Sequence, residues 1–237
     1  MKIDICDTYD ELSLKAKDII VQEIKQNGKL LLCAATGGSP TGTYNLLANE
    51  HQNNQDIFSQ LRVLKLDEWG GIPMNSSGTC ESYLQKYLIQ PLKISKDRYI
   101  GFNSNPENPD VECERIQAIL SQQGPIDICI LGLGMNGHLA LNEPDNSLHP
   151  YCHVAKLSES SLQHPMAVEM LVKPTYGLTL GMADILSSKK IIILINGTQK
   201  RVVASKFLSQ KISNSVPASF LWLHSNVICL IEKNSIE

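Results

Sequence analysis

The chain has 237 residues, 43% of them hydrophobic, and a formal charge of -3. That is enough apolar material for one large α/β domain spanning 1–237, and the absence of a clustered basic patch excludes a nucleic-acid groove. Its longest aliphatic runs, such as Ile191 to Ile195, are far too short to cross a bilayer. The opening MKIDICDTYDEL has two early acids and no apolar stretch of a secretory signal, so a cytoplasmic protein is expected.

Tyr9 to Gln26 predicts an amphipathic helix with Leu12, Ala16, Ile19, Ile20 and Ile24 on one face, ended by Gly28. Lys29 to Ala35 is a first buried strand and breaks into Thr36-Gly37-Gly38-Ser39-Pro40-Thr41. Ser39 suits a helix N-cap and Pro40 the first helical position. A strand, a glycine turn and a helix N-terminus together make an anion cradle, because free N–H groups and the helix dipole both favour a phosphate. The Gly-Lys-Ser/Thr ending of a P-loop is absent.

Leu61 to Leu66 is a second strand, closed by a turn of Asp67-Glu68-Trp69-Gly70. Acids at a strand's carboxyl end are site candidates, with one of the two free to do no more than solvate the turn. Gly78 to Leu88 and Val111 to Gln122 read as helices, with the Asn- and Pro-rich Asn103 to Asp110 as the loop between them. The seven cysteines are odd in number and form no C-x-x-C. Cys33, Cys129 and Cys229 sit inside apolar runs, as small core residues in a reducing cytosol do. A zinc site from His149, Cys152 and His153 is weaker than a plain loop, since Pro150 breaks the helical spacing; no metal is expected.

The third strand opens the stretch that organises the chain, IDICILGLGMNGHLALNEP from Ile126 to Pro144. Its apolar run is continuous rather than alternating, so it reads as a strand buried on both faces of a parallel sheet. Gly132, Gly134 and Gly137 spell G-x-G-x-x-G, but Pro144 interrupts any following helix and no second strand ends in an acid about twenty residues on. A dinucleotide is therefore not expected. A lone His138 would be an exposed turn residue. With Asn142 and Glu143 close behind it at a strand end, a site is the stronger reading.

Residues 145–174 are polar and irregular, a loop with a short helix, as a lid or site wall is. Tyr176 to Leu180, Lys190 to Ile195 and Asn226 to Glu232 are further strands, with Ala183 to Ser188 as a helix. Asn196-Gly197-Thr198-Gln199-Lys200 repeats the strand-end loop, and Lys200 opens a helix to about Leu208. One helix followed by repeated strand–helix units predicts a mostly parallel, doubly wound α/β sheet.

TGGSPTGTY from Thr36, KLDEWGGIP from Lys65, LGLGMNGHLALNEP from Leu131, YGLTLGMADIL from Tyr176 and INGTQK from Ile195 together resemble the glucosamine-6-phosphate deaminase and galactosamine-6-phosphate isomerase family. The resemblance spans nearly the whole chain, and the ending PASFLWLHSNVICLI is most similar to the galactosamine-6-phosphate branch. It implies a Rossmann-like three-layer α/β sandwich without a redox cofactor, acting on a small sugar phosphate and free to form homo-oligomers. By the same resemblance Asp67 is the general base, His138 the ring-opening histidine and Glu143 the carboxylate beside it. Thr36, Gly37, Gly38, Ser39 and Thr41 then form the phosphate loop, Lys200 is the phosphate lysine, and Glu68 and His164 are wall candidates.

Three departures stand out. Asn136 replaces an aspartate that many members carry, leaving Glu143 as the only carboxylate expected beside His138. A family phosphate arginine falls at about Ala167, with His164 or Lys173 as the residues able to compensate. Asn146, His153 and Ala155 stand where allosteric members have Ser, Arg and Lys, so activation by an N-acetylated sugar phosphate is not expected. A 6-phosphogluconolactonase and a non-catalytic sugar-phosphate sensor are the competing functions.

Overall fold

The computed structural model describes residues 1–237. In chain order its strands are β1 (Lys2–Cys6), β2 (Leu31–Ala34), β3 (Arg62–Lys65), β4 (Asp67–Gly70), β5 (Tyr99–Ile100), β6 (Ile128–Gly132), β7 (His153–Ala155), β8 (Tyr176–Thr179), β9 (Lys190–Ile195) and β10 (Val227–Glu232). The α-helices are α1 (Tyr9–Gln26), α2 (Gly38–Asn53), α3 (Cys80–Leu84), α4 (Pro109–Gln123), α5 (Glu159–Leu162), α6 (Pro165–Glu169), α7 (Met182–Leu186) and α8 (Arg201–Leu208). Seven strands form one wholly parallel sheet in the order β1-β10-β9-β6-β2-β3-β5.

The continuous apolar runs are explained by burial on both faces. Leu31 and Cys33 of β2, Cys129 and Leu131 of β6, and Ile191, Ile193 and Ile195 of β9 pack against α4, α7 and α8. Their neighbours Leu32 and Ala34, Ile128 and Ile130, and Ile192 and Leu194 pack against α1 and α2. Alternate residues of a strand point to opposite faces, so a sheet covered twice needs apolar residues at every position. The expected three-layer, doubly wound α/β sandwich is what the chain forms. From β2 it winds through β3 to β5 on one side, and from β6 through β9 and β10 on the other. The switch lies between the neighbouring strands β2 and β6, where such sheets open a crevice at their carboxyl ends.

Several elements differ from expectation. Lys2–Cys6 is an edge strand paired with β10, although its pattern carried no clear signal. The chain does not turn at Asp67. It continues as β4 into a second, antiparallel sheet of order β4-β8-β7, which also claims Tyr176–Thr179. Helix α2 starts two residues before Pro40, and Gly37 at φ 100° is its N-cap, so Ser39 lies inside the first turn. The polar segment after Pro144 contains β7 and the short helices α5 and α6 over a small apolar cluster of Trp69, Cys80, Leu141, Ala167 and Met170. His149 and His153 stack their rings at 4.3 Å, and no three His, Cys, Asp or Glu side chains lie close enough to hold a metal ion.

Candidate active site

The central strands β2, β3, β6 and β9 send their carboxyl-end segments to one cavity of about 360 Å³. It is lined by Thr36 to Ser39, Asp67, Gly132 to Met135, His138, part of the α5–α6 segment and Lys200. Asp67, His138, Lys200 and the glycine turn therefore converge, although they lie far apart in the chain.

Gly37 takes a backbone conformation that side chains resist, and this turn starts α2 with its first N–H groups uncapped by any side chain. The Thr41 and Tyr83 hydroxyls lie 2.7 Å apart and each 2.9 Å from the Gly37 carbonyl, so that one donates to the carbonyl and the other to its neighbouring hydroxyl. Thr41 thus braces the turn from behind and does not face the cavity, a correction to its place in the phosphate loop. Ser39 Oγ donates to Asn196 Oδ1 at 2.5 Å, tying the turn to the loop after β9. Thr36 Oγ1 donates to Cys80 Sγ at 3.3 Å.

Asp67 and Glu68 are neighbours on a strand and so face opposite ways. Asp67 lines the cavity and is otherwise closely surrounded by protein. Burial pushes its carboxyl up to about 7, with Glu68 adding to the rise and His138, Cys80 and Lys65 opposing it. Glu68 is fully buried, away from the cavity, and is not the substrate wall expected from its position. Its oxygens accept Lys65 Nζ at 2.7 Å and the backbone N–H groups of Trp69, Cys80 and Glu81, each at 2.8 Å. It clamps the base-bearing strand to the start of α3.

The turn after β6 closes through Gly134 N–H to His138 O (3.1 Å) and Gly137 N–H to Gly134 O (3.0 Å). Gly134 is required by space: a Cβ there would lie 2.3 Å from the His138 ring. His138 Nδ1 is 3.2 Å from Glu143 Oε2. Asn136 donates to that same oxygen at 2.8 Å and accepts the His138 backbone N–H at 3.2 Å, so one amide holds both partners. Ser161 of α5 donates to the other Glu143 oxygen. Burial opposes ionisation of Glu143, but the hydrogen bond and charge of His138, with Ser161 and Asn136, hold it down at about 2. A carboxylate accepting at Nδ1 leaves Nε2 of neutral His138 as the free acceptor. Asn142 instead serves the fold, donating to Leu139 O and Leu180 O.

Lys200 donates to Leu133 O, and desolvation lowers its ammonium to about 8. His164 also lines the cavity, within van der Waals reach of a Cβ placed on Gly37. Its Nδ1 accepts the Met166 backbone N–H at 3.3 Å, which puts the proton of the neutral ring on Nε2. Burial, His138 and Lys200 lower its pKa. Ala167 is fully buried in the small apolar cluster, and Lys173 is bound to the carbonyls of Ala167 and Val168. Of the two residues considered as compensating cations, only His164 faces the cavity. Cys80 and Ser161 also line it and carried no motif in the sequence, as does Trp69, which lay in a motif but was given no role.

The segment around Val216 and Ala218 buttresses this site from outside. Ala218 N–H donates to Gly137 O at 2.9 Å, and Val216 lies against Gly137, behind the turn that carries His138.

A solved structure described as a monomeric glucosamine-6-phosphate deaminase superposes with a TM-score of 0.94 at 35% identity, covering 99% of this chain and 98% of that one. AgaI of Escherichia coli (strain K12), whose name marks its deaminase activity as provisional, is 42% identical over 95% of this chain and 89% of its own length. Glucosamine-6-phosphate deaminase 1 of Bacillus subtilis (strain 168) is 35% identical over 99% of this chain and 98% of its own. The family model for glucosamine-6-phosphate isomerases/6-phosphogluconolactonase matches residues 7–229, and the chain belongs to that family.

Proposed function

We propose that residues 1–237 act as one cytoplasmic amino-sugar-phosphate deaminase and isomerase, with galactosamine 6-phosphate as substrate and tagatose 6-phosphate and ammonia as products. The observation that carries this reading is the sharing of one cavity by Asp67, His138 and Lys200, with Glu143 bonded to His138 from outside the cavity lining. The phosphate sits against the first N–H groups of α2, with the Lys200 ammonium and His164 Nε2–H as side-chain donors. This remote group positions the reacting carbons. His138 Nε2 moves the ring-oxygen proton and opens the hemiacetal. Asp67 then takes the proton from C2 and returns it at C1, converting the aldose into a ketose imine. Water adds to the imine carbon, and the C–N bond breaks to release ammonia. Atoms balance with one water consumed, and no step requires a redox cofactor.

Glucosamine 6-phosphate, giving fructose 6-phosphate, is the second reading, favoured by the names of the Bacillus subtilis relative and of the superposed structure. A coupled ammonia assay with both amino sugar phosphates, run beside acid release from 6-phosphogluconolactone, tests the proposal. Ammonia from neither sugar would overturn it, and acid release alone would favour the lactonase. Binding without turnover would favour the sensor.

Asp67 must be ionised and Lys200 charged in the competent free enzyme. Their values of about 7 and about 8 set opposite limbs. The plot of kcat/KM against pH is therefore expected to be a narrow bell, rising through about 7 and falling beyond about 8. A plateau from pH 6 to 9 would contradict these assignments.

Asn136→Asp would replace the donor on Glu143 with a second carboxylate at hydrogen-bonding distance. The added negative charge beside His138 works against ionisation of nearby Asp67 and keeps its proton on to higher pH. The acid limb of the profile is expected to move upward, and an unchanged profile would leave Asn136 without this role.

A further inference from the structure

Of the seven cysteines, all free, Cys80 is the one whose residue lines the cavity. It lies on the first residue of α3, is 2% exposed, and its backbone N–H is held by the buried Glu68 carboxylate at 2.8 Å. Its sulfur stands between two residues of the site. Thr36 Oγ1 donates to Sγ at 3.3 Å, and the thiol donates in turn to Asp67 Oδ1 at 3.7 Å. No other hydrogen-bond donor reaches the Asp67 side chain. The remaining groups acting on Asp67 are charges from several elements: Glu68 and Lys65 from its own crossover, and His138 from the turn after β6.

A general base in a buried pocket has two needs that conflict. It must be held in one orientation, yet each strong hydrogen bond to its ionised form makes it a poorer proton acceptor. A thiol is a weak donor, so it can orient a carboxylate at less cost to basicity than a hydroxyl or N–H would. The Thr36 hydroxyl orients the thiol, since donation to sulfur turns the S–H bond toward Asp67 and strengthens it cooperatively. We propose that Cys80 is a positioning residue: oriented by Thr36, its thiol holds Oδ1 of Asp67 and leaves Oδ2 as the oxygen that takes the carbon-bound proton. This deepens the reading of Asp67 as the general base and rests on it. It also gives Thr36 a second task, because its side chain links the anion-binding turn to the base.

The test uses the whole protein and two readouts. In protein labelled at the aspartate side-chain carboxyl with carbon-13, the Asp67 resonance is assigned by its loss in Asp67→Asn and titrated without ligand. Cys80→Ala removes the donor and is expected to raise the Asp67 midpoint by about half to one pH unit, the equivalent of one modest hydrogen bond. Thr36→Val keeps the thiol but removes its orienting partner, and is expected to give a smaller shift in the same direction. With galactosamine 6-phosphate, both variants are expected to move the acid limb of kcat/KM upward by matching amounts and to lower kcat more than they change KM. Midpoints that stay in place while the melting temperature falls would make Cys80 a packing residue and overturn the proposal. Thr36→Val carries the same decision if Cys80→Ala does not fold. The outcomes separate from those of the proposed function. A shifted carboxyl in a protein that releases no ammonia rejects the deaminase and keeps the contact, whereas turnover with unmoved midpoints rejects the contact alone.

Discussion

Asp67→Asn is expected to abolish ammonia release while sugar phosphate still binds. An amide has the size and shape of the carboxyl but cannot accept the C2 proton, so kcat should fall on the order of 10²–10⁴-fold. The turn at Gly37, Lys200 and His164 is untouched, and calorimetry with galactosamine 6-phosphate should give a dissociation constant near that of the unmodified protein. Retained turnover would remove Asp67 from the mechanism. The same variant is expected to be the more stable protein in mild alkali. Burial raises the Asp67 carboxyl from 3.8 to about 7, so the folded state holds a proton that the unfolded chain has already released. Stability from this group is fully present below about 3.8 and is lost as pH rises through about 7. The asparagine variant escapes that loss. Its melting temperature should exceed that of the unmodified protein at pH 8, with the gap closing toward pH 4.

The second large effect is expected at Lys65. This lysine is fully buried, with Nζ bound to Glu68 Oε2 (2.7 Å), Glu81 Oε2 (2.8 Å) and Phe102 O (2.9 Å). Burial works against its charge, but the two carboxylates outweigh that and raise its pKa. Tyr99 also donates to Glu81 at 2.7 Å, and the Glu81 side chain keeps only 15% exposure. Lys65→Met leaves two carboxylates facing each other without a cation, and a broken buried pair costs about 3–5 kcal/mol. Urea denaturation should report a loss of that order. Adding Glu68→Leu should cost less than the sum of the two single changes, because the uncompensated charge goes with it. Strict additivity would mean that Lys65 and Glu68 do not act as a unit.

The legible parts of this fold were those whose pattern has one physical cause. LLCA, ICILG and KIIILI are apolar at nearly every position because both faces of each strand are covered. Tyr9–Gln26 announced itself by a single apolar stripe. KIDIC escaped notice because an edge strand need not be apolar throughout, and Ile3 and Ile5 remain 42% and 53% exposed. In DEWG the acids signalled a site, but four residues cannot distinguish a turn from a strand that leaves one sheet for another. The assignment of Asp67 to the cavity and Glu68 to the interior depends on the pleat, which only the pairing with β8 defines. The gathering of Asp67, His138 and Lys200 was visible only as three strand ends and a family resemblance. Cys80 and Ser161 were invisible, since each acts through a partner on a different element.

The pairing of β1 with β10 bears on how this protein is made. Lys2 lies opposite Ile228 and Cys6 opposite Glu232, so β1 gains its sheet neighbour only after every other strand of that sheet has been made. A growing chain can join β2, β3 and β6, yet it carries Lys2–Cys6 as a loose ribbon until β10 has been made. Pairings this remote in sequence form slowly. A chain stalled before β10 would present the bare flank of β9 to other chains, which makes the interval before β10 docks the stage at which aggregation threatens most.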